Sequence, residues 1–193
     1  MSERGMAVSM SQGFYAAVLE LFRAAALKPE DFRRALLLSE VMRRFAGLLG
    51  HEGEADIWAA AGLLRHADAA DAPLISSSAL KKAGADEAFL RTVAATEPVT
   101  QDDFTTLLVT LDHLVALILA IAATRPRQSV KGLKVSAVQK KFLDPRFTPQ
   151  SSRRHIQDGV RALHWEIGDF TSKTLKAILA SEDEVRSAVE KIA

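Results

Sequence analysis

Four side chains in two short stretches are of types that ligate a divalent cation. They are His66 and Asp68 in one stretch, and Asp112 and His113 in the other. Imidazole nitrogen and carboxylate oxygen suit most of the common catalytic cations. Neighbours on a helix point about 100° apart, so joint ligation by Asp112 and His113 is awkward. The sequence contains no cysteine, which excludes a thiolate zinc site and a disulfide scaffold. Its ten glycines form neither a phosphate-binding loop nor a dinucleotide fingerprint, and no Ser-His-Asp triad is recognisable. His51, after Gly50, reads as an exposed helix-end residue. His155 and His164 read as surface or packing residues, and Trp58 and Trp165 as core anchors.

The elements that must carry these groups are helical. Ala, Leu, Arg, Lys and Glu dominate, and they favour helix. Apolar residues recur at three- and four-residue spacing, as in Phe14, Ala17, Val18, Leu21 and Phe22. Pro29 followed by Glu30 and Asp31 predicts a helix start, and Gly50 its stop. A third helix is expected over 54–67, then a loop over 68–77. A short helix capped by Ser77 or Ser78 should run through Lys82, with Lys81 and Lys82 placed favourably at its C-terminal end near Gly84. Another covers 87–95. Thr100 with Asp103 three residues on resembles a capping box for a long central helix that ends before Arg125-Pro126. A short helix near 135–142, a proline-containing turn at 144–149 and two or three further helices complete a single all-α domain.

Residues 105–124 are long and apolar enough to span a bilayer. Asp112 and His113 near the centre argue instead for a buried helix of a bundle. Residues 1–10 read as a loose terminus without the apolar core of a secretory signal, and the expected location is cytoplasmic. The net charge of +1 does not advertise a polyanion partner.

The segment from Trp58 to Asp68 reads WAAAGLLRHAD and resembles the signature of the HD-domain metal-dependent phosphohydrolases, in which a helix ends in Gly-Leu-Leu-His-Asp. Upstream, RALLLSEVM from Arg34 to Met42 looks like the helix carrying that family's first histidine. Downstream, LDHLVALI from Leu111 to Ile118 is similar to the helix carrying its last aspartate. Arg125-Pro126 and the run LKVSAVQKKF from Leu133 to Phe142 resemble a basic tail found in one bacterial subgroup of small HD-domain proteins. The likeness covers about residues 30–180. It implies an HD-like helical bundle with additional C-terminal helices. In the family, imidazoles and carboxylates hold one or two cations that acidify a water and polarise a phosphoryl oxygen.

Carried over residue by residue, the metal site is degenerate. The first-histidine position falls on Arg34. The His-Asp pair falls on Arg65 and His66, a further histidine position falls near Thr96, and only Asp112 stands where the family has its last aspartate. Arginine stays protonated and offers no lone pair, so it cannot ligate a metal. The resemblance therefore implies a pseudoenzyme with no catalytic residue, metal or cofactor. Arg34, Arg65, His66, Asp68 and Asp112 would line the former metal site. There the arginines replace the cation and pair with Asp112, either closing the site or leaving room for phosphate. The partner expected is a phosphate-containing small molecule or a protein, and exposed Ala and Leu suit a homodimer. The alternative is a metal-dependent phosphohydrolase, acting on a nucleotide or other phosphate ester through a site rebuilt from His66, Asp68, Asp112 and His113.

Charge is also segregated. Between residues 125 and 154 stand nine basic residues: Arg125, Arg127, Lys131, Lys134, Lys140, Lys141, Arg146, Arg153 and Arg154. They face one acid, Asp144, which leaves an excess of +8 there and −7 elsewhere. A basic face for an anionic partner is one reading. The other, favoured by the resemblance, is a structural stretch neutralised by the protein's own acidic helices. Nucleic acid is not the expected partner.

Overall fold

Helix-period patterning becomes helix throughout the computed structural model, which describes residues 13–25, 27–65, 75–98 and 102–191. Among the described residues the chain forms nine α-helices, two short 3₁₀ turns and no strand, an all-α bundle. The helices are α1 (Phe14–Ala24), α2 (Pro29–Leu48), α3 (Ala55–Leu64), α4 (Ser77–Ala83), α5 (Glu87–Ala94), α6 (Asp103–Ala123), α7 (Val135–Leu143), α8 (Gln150–Ala162) and α9 (Ile167–Glu190).

Pro29 occupies the first helical position of α2, with Glu30 and Asp31 beside the positive end of the helix dipole. Just beyond the helix, Gly50 takes φ 80°, a left-handed conformation that glycine adopts without steric penalty. Helix α2 packs along α3 and also against α6 and α9. The α2–α3 approach is close because residue 62 is glycine: a Cβ there would lie 2.8 Å from the Leu38 carbonyl oxygen.

Helix α6 runs through the middle. Fifteen of its residues are buried, including Leu107, Leu108, Leu111 and Ile118. Each such aliphatic side chain contributes about 1.5–3 kcal/mol on burial. Among the described residues it alone is long and apolar enough to cross a membrane, but 72% of its apolar window is covered by the rest of the protein. Helix α8 crosses α6 at Gly159, whose missing Cβ would otherwise strike Thr110 Oγ1 at 1.8 Å.

Two helix starts differ from the sequence expectation. Ser76, not Ser77 or Ser78, caps α4 by accepting from Ala79 N at 3.2 Å. Asp102 caps α6 by accepting from Thr105 N at 3.1 Å. In both cases the capping residue has extended backbone, which aims its side-chain oxygen at the unpaired N–H groups of the first turn. The proposed cap Thr100, the loose terminus at 1–10, the end of the 54–67 helix and most of the 68–77 loop lie outside the described residues.

Candidate functional site

Arg34 comes from the second turn of α2, Arg65 from the residue closing α3, and Asp112 from the middle of α6. They meet although 78 and 47 residues separate the arginines from the aspartate. Arg34 Nη2 donates to Asp112 Oδ1 at 2.6 Å, and Arg65 Nε donates to Oδ2 at 3.2 Å. Asp112 is 5% exposed, and the Arg65 side chain 9%. A carboxylate buried this deeply is tolerable only with opposite charge and hydrogen bonds beside it.

Arg65 reaches further. Its Nη1 donates to the Val93 carbonyl at 2.8 Å and to the Ala95 carbonyl, so one guanidinium ties the end of α3 to the end of α5 and to α6. Arg34 is less committed. Its side chain is 32% exposed, and among the described residues Asp112 is its only acceptor and its buried Nε has no partner. The trio carries a net charge of +1 and keeps unused N–H donors on Arg34.

These residues do not fit a divalent cation. Two permanently charged groups occupy the Asp112 oxygens a metal would need. Among the described residues no group of three His, Asp or Glu side chains converges on a common point. His66 and Asp68 lie outside the described residues.

His113, next to Asp112 on α6, turns away toward α8. Its ring stacks on that of His155 with centroids 4.4 Å apart. His155 Nε2 lies 2.9 Å from Glu97 Oε2, and since a carboxylate only accepts, Nε2 carries the proton. The pairing holds the Glu97 carboxyl below its ordinary range, with Arg154 adding to the effect. Of the two histidines read as surface or packing groups, His155 is thus built into a polar helix–helix contact, whereas His164 is exposed. His155 lies one turn before Gly159, and that spacing was the available signal.

Burial pushes the His113 pKa down to about 4. Asp112 opposes this shift, and His155, Arg65 and Arg34 reinforce it. An unfolded histidine titrates near 6.5, so between these values the unfolded chain binds more protons than the fold. His113 therefore contributes stability that is complete above about pH 6.5 and declines as pH falls toward 4. Urea midpoints across this range should fall less steeply for His113→Gln than for the native protein. Parallel curves would assign the dependence to other groups.

Part of the basic stretch is tied to the protein's own groups. Arg125 donates to the carbonyls of Ser129 and Lys131, at 2.8 and 2.9 Å. Lys131 pairs with Asp183 at 2.8 Å, and Lys141 stands over the Phe147 ring. Arg127, Lys134 and Lys140 are exposed. The loop at Ser129 and Val130 is held by Glu182, a 1% exposed acid of α9 that the sequence reading overlooked. Glu182 accepts from Val130 N and Ser129 Oγ, both at 2.9 Å, with Arg33 and Arg186 within 4 Å. It lies on the apolar stripe Leu175, Ile178, Glu182, Val185, a spacing that could have marked it as inward-facing.

Glu182→Ala should cost about 1–3 kcal/mol, because it strands the buried Val130 N–H and removes the acid between two guanidiniums. In hydrogen exchange, the Val130 amide should lose protection ahead of the core helices. Unchanged Val130 exchange would mean the loop is held by other contacts.

Fold and site together define an all-α bundle whose centre is an arginine–aspartate–arginine cluster. No protein-family model matches the chain, and neither the curated proteins nor the solved structures include a match.

Proposed function

We propose that the chain is an HD-domain-like protein that binds rather than catalyses, with the family's metal position taken over by Arg34 and Arg65. The observation carrying this reading is the Asp112 carboxylate held between two guanidiniums at 2.6 and 3.2 Å. A phosphohydrolase of this kind needs that carboxylate free for a cation, which acidifies a water and polarises the phosphoryl oxygen. Here the carboxylate is engaged, and the groups engaging it do not deprotonate in the physiological range.

The ligand class best suited to what remains is a phosphate-bearing small molecule. Arg34 is partly exposed and among the described residues has unshared N–H donors, and the trio has a surplus positive charge. Guanidinium groups bind phosphate oxygens through paired, charge-assisted hydrogen bonds. A location in the cytoplasm belongs to the same proposal, as does a second copy or another protein as partner.

Elemental analysis of protein purified without chelators and then incubated with Mn²⁺ tests the noncatalytic reading. Substoichiometric metal and no hydrolysis of nucleotide or aryl phosphates are expected. Stoichiometric Mn, Fe, Ni or Zn would restore the phosphohydrolase alternative, with His66, Asp68, Asp112 and His113 as its candidate ligands. Thermal shift with inorganic phosphate and nucleoside monophosphates tests the ligand class. Stabilisation lost in Arg34→Gln supports it, and no stabilisation by any phosphate compound leaves the cluster as a plug.

A further inference from the structure

Helices α3, α4 and α5 enclose a half-open cavity of about 300 Å³. Its floor is apolar: Leu64, Ile75, Leu80 and Val93 line it, and none exceeds 7% exposure. Val93 offers its carbonyl to Arg65, so the guanidinium that grips Asp112 also holds this wall in place. The volume lies at the small end of the range for ligand sites, and an apolar floor with few polar groups at the mouth is their usual construction.

The mouth is charged and unbalanced. Lys81 of α4 pairs with Glu87 of α5 across the opening. Arg91, one turn further along α5, also lines the cavity, is exposed and makes no ion pair among the described residues. Two cations thus face one acid, and that acid is already engaged. Lys81 and, more weakly, Arg91 lower the Glu87 pKa, which keeps it ionised and paired.

We propose that this cavity binds a small amphiphilic anion, with an acyl or aryl body over Leu64, Leu80 and Val93 and its carboxylate on Arg91. A neutral body of the same shape would gain only the apolar contact, and a cationic one would meet Arg91 directly. The site goes beyond the phosphate reading and uses different residues, so either can fail without the other.

Octanoate is the probe, with octanol and octylamine as neutral and cationic counterparts, titrated by calorimetry into the full chain. Saturable one-site binding of octanoate is expected, with octylamine failing to bind. Because Arg91 is exposed, Arg91→Glu should fold normally and weaken octanoate at least tenfold. Methyl resonances of Leu64, Leu80 and Val93 should shift on titration, and Leu90→Trp, which intrudes on the cavity from its lining, should abolish both signals. Absence of saturable octanoate binding, equal affinity in Arg91→Glu, or shifts confined to other methyls would overturn the proposal.

Discussion

Asp112→Ala is expected to destabilise the protein by about 3 kcal/mol, read as a lower urea midpoint with an unchanged slope. Removing one partner of a buried charge cluster typically costs about 3–5 kcal/mol, because the remaining charge is left uncompensated. Two features place this site at the lower end. Arg34 is 32% exposed and can turn toward water once its acceptor is gone. Arg65 cannot, but it retains the Val93 and Ala95 carbonyls.

Arg34→Gln is expected to cost less than Asp112→Ala, about 1 kcal/mol, since the aspartate keeps Arg65 and one hydrogen bond among the described residues is lost. An Asp112→Ala protein within about 0.5 kcal/mol of the native one would mean that the cluster does not bear on stability. The chemical content of the site would then have to rest on binding alone.

Gly62→Ala should cost a similar amount for a different reason. Alanine gains about 1 kcal/mol over glycine from intrinsic helix preference. Against that stands a Cβ at 2.8 Å from both the Leu38 carbonyl oxygen and the Ser39 amide nitrogen, and 2.9 Å from the Leu38 carbonyl carbon. These are main-chain atoms of α2 and cannot rotate aside, so the two helices must separate along their whole contact. Overpacking of this kind costs about 1–3 kcal/mol or more, and here it outweighs the helix preference. With main-chain atoms as the obstacle the overpacking falls near about 3 kcal/mol, and a net loss of about 2 kcal/mol follows, measured by urea or thermal unfolding.

Gly159 makes a useful contrast. Its nearest obstacle is the Thr110 side chain, at 1.8 Å to Oγ1 and 2.9 Å to Cβ. Thr110→Ala should therefore partly rescue Gly159→Ala, whereas no side-chain truncation should rescue Gly62→Ala. A neutral or stabilising Gly62→Ala would show that the α2–α3 contact is looser than described.

Much of this architecture was legible because helix periodicity is a local property. Asp112 within an apolar helix demanded a partner, and the motif order around Arg34 and Arg65 supplied candidates that tertiary packing does bring together. The caps were less legible. Several adjacent Ser, Thr or Asp residues could each start a helix, and backbone conformation, which no pattern reveals, chose Ser76 and Asp102. Glu182 was missed because a charged residue defaults to the surface. It faces inward because a distant segment, the loop at Ser129 and Val130, provides its partners. The cavity at α3, α4 and α5 depends on how three helix ends are spaced, and nothing in their composition encodes that spacing.

The Arg65 strut has a consequence for how the molecule meets its surroundings. A joint made from a bound ion can be emptied by starvation, exchanged for the wrong element, or stripped by a competitor. Three helix segments here are fastened by a side chain that arrives with the polypeptide and keeps its charge at any physiological acidity. The grip of this one joint should be the same in a chelator as in metal-rich medium, because its donors and acceptors all belong to the polypeptide.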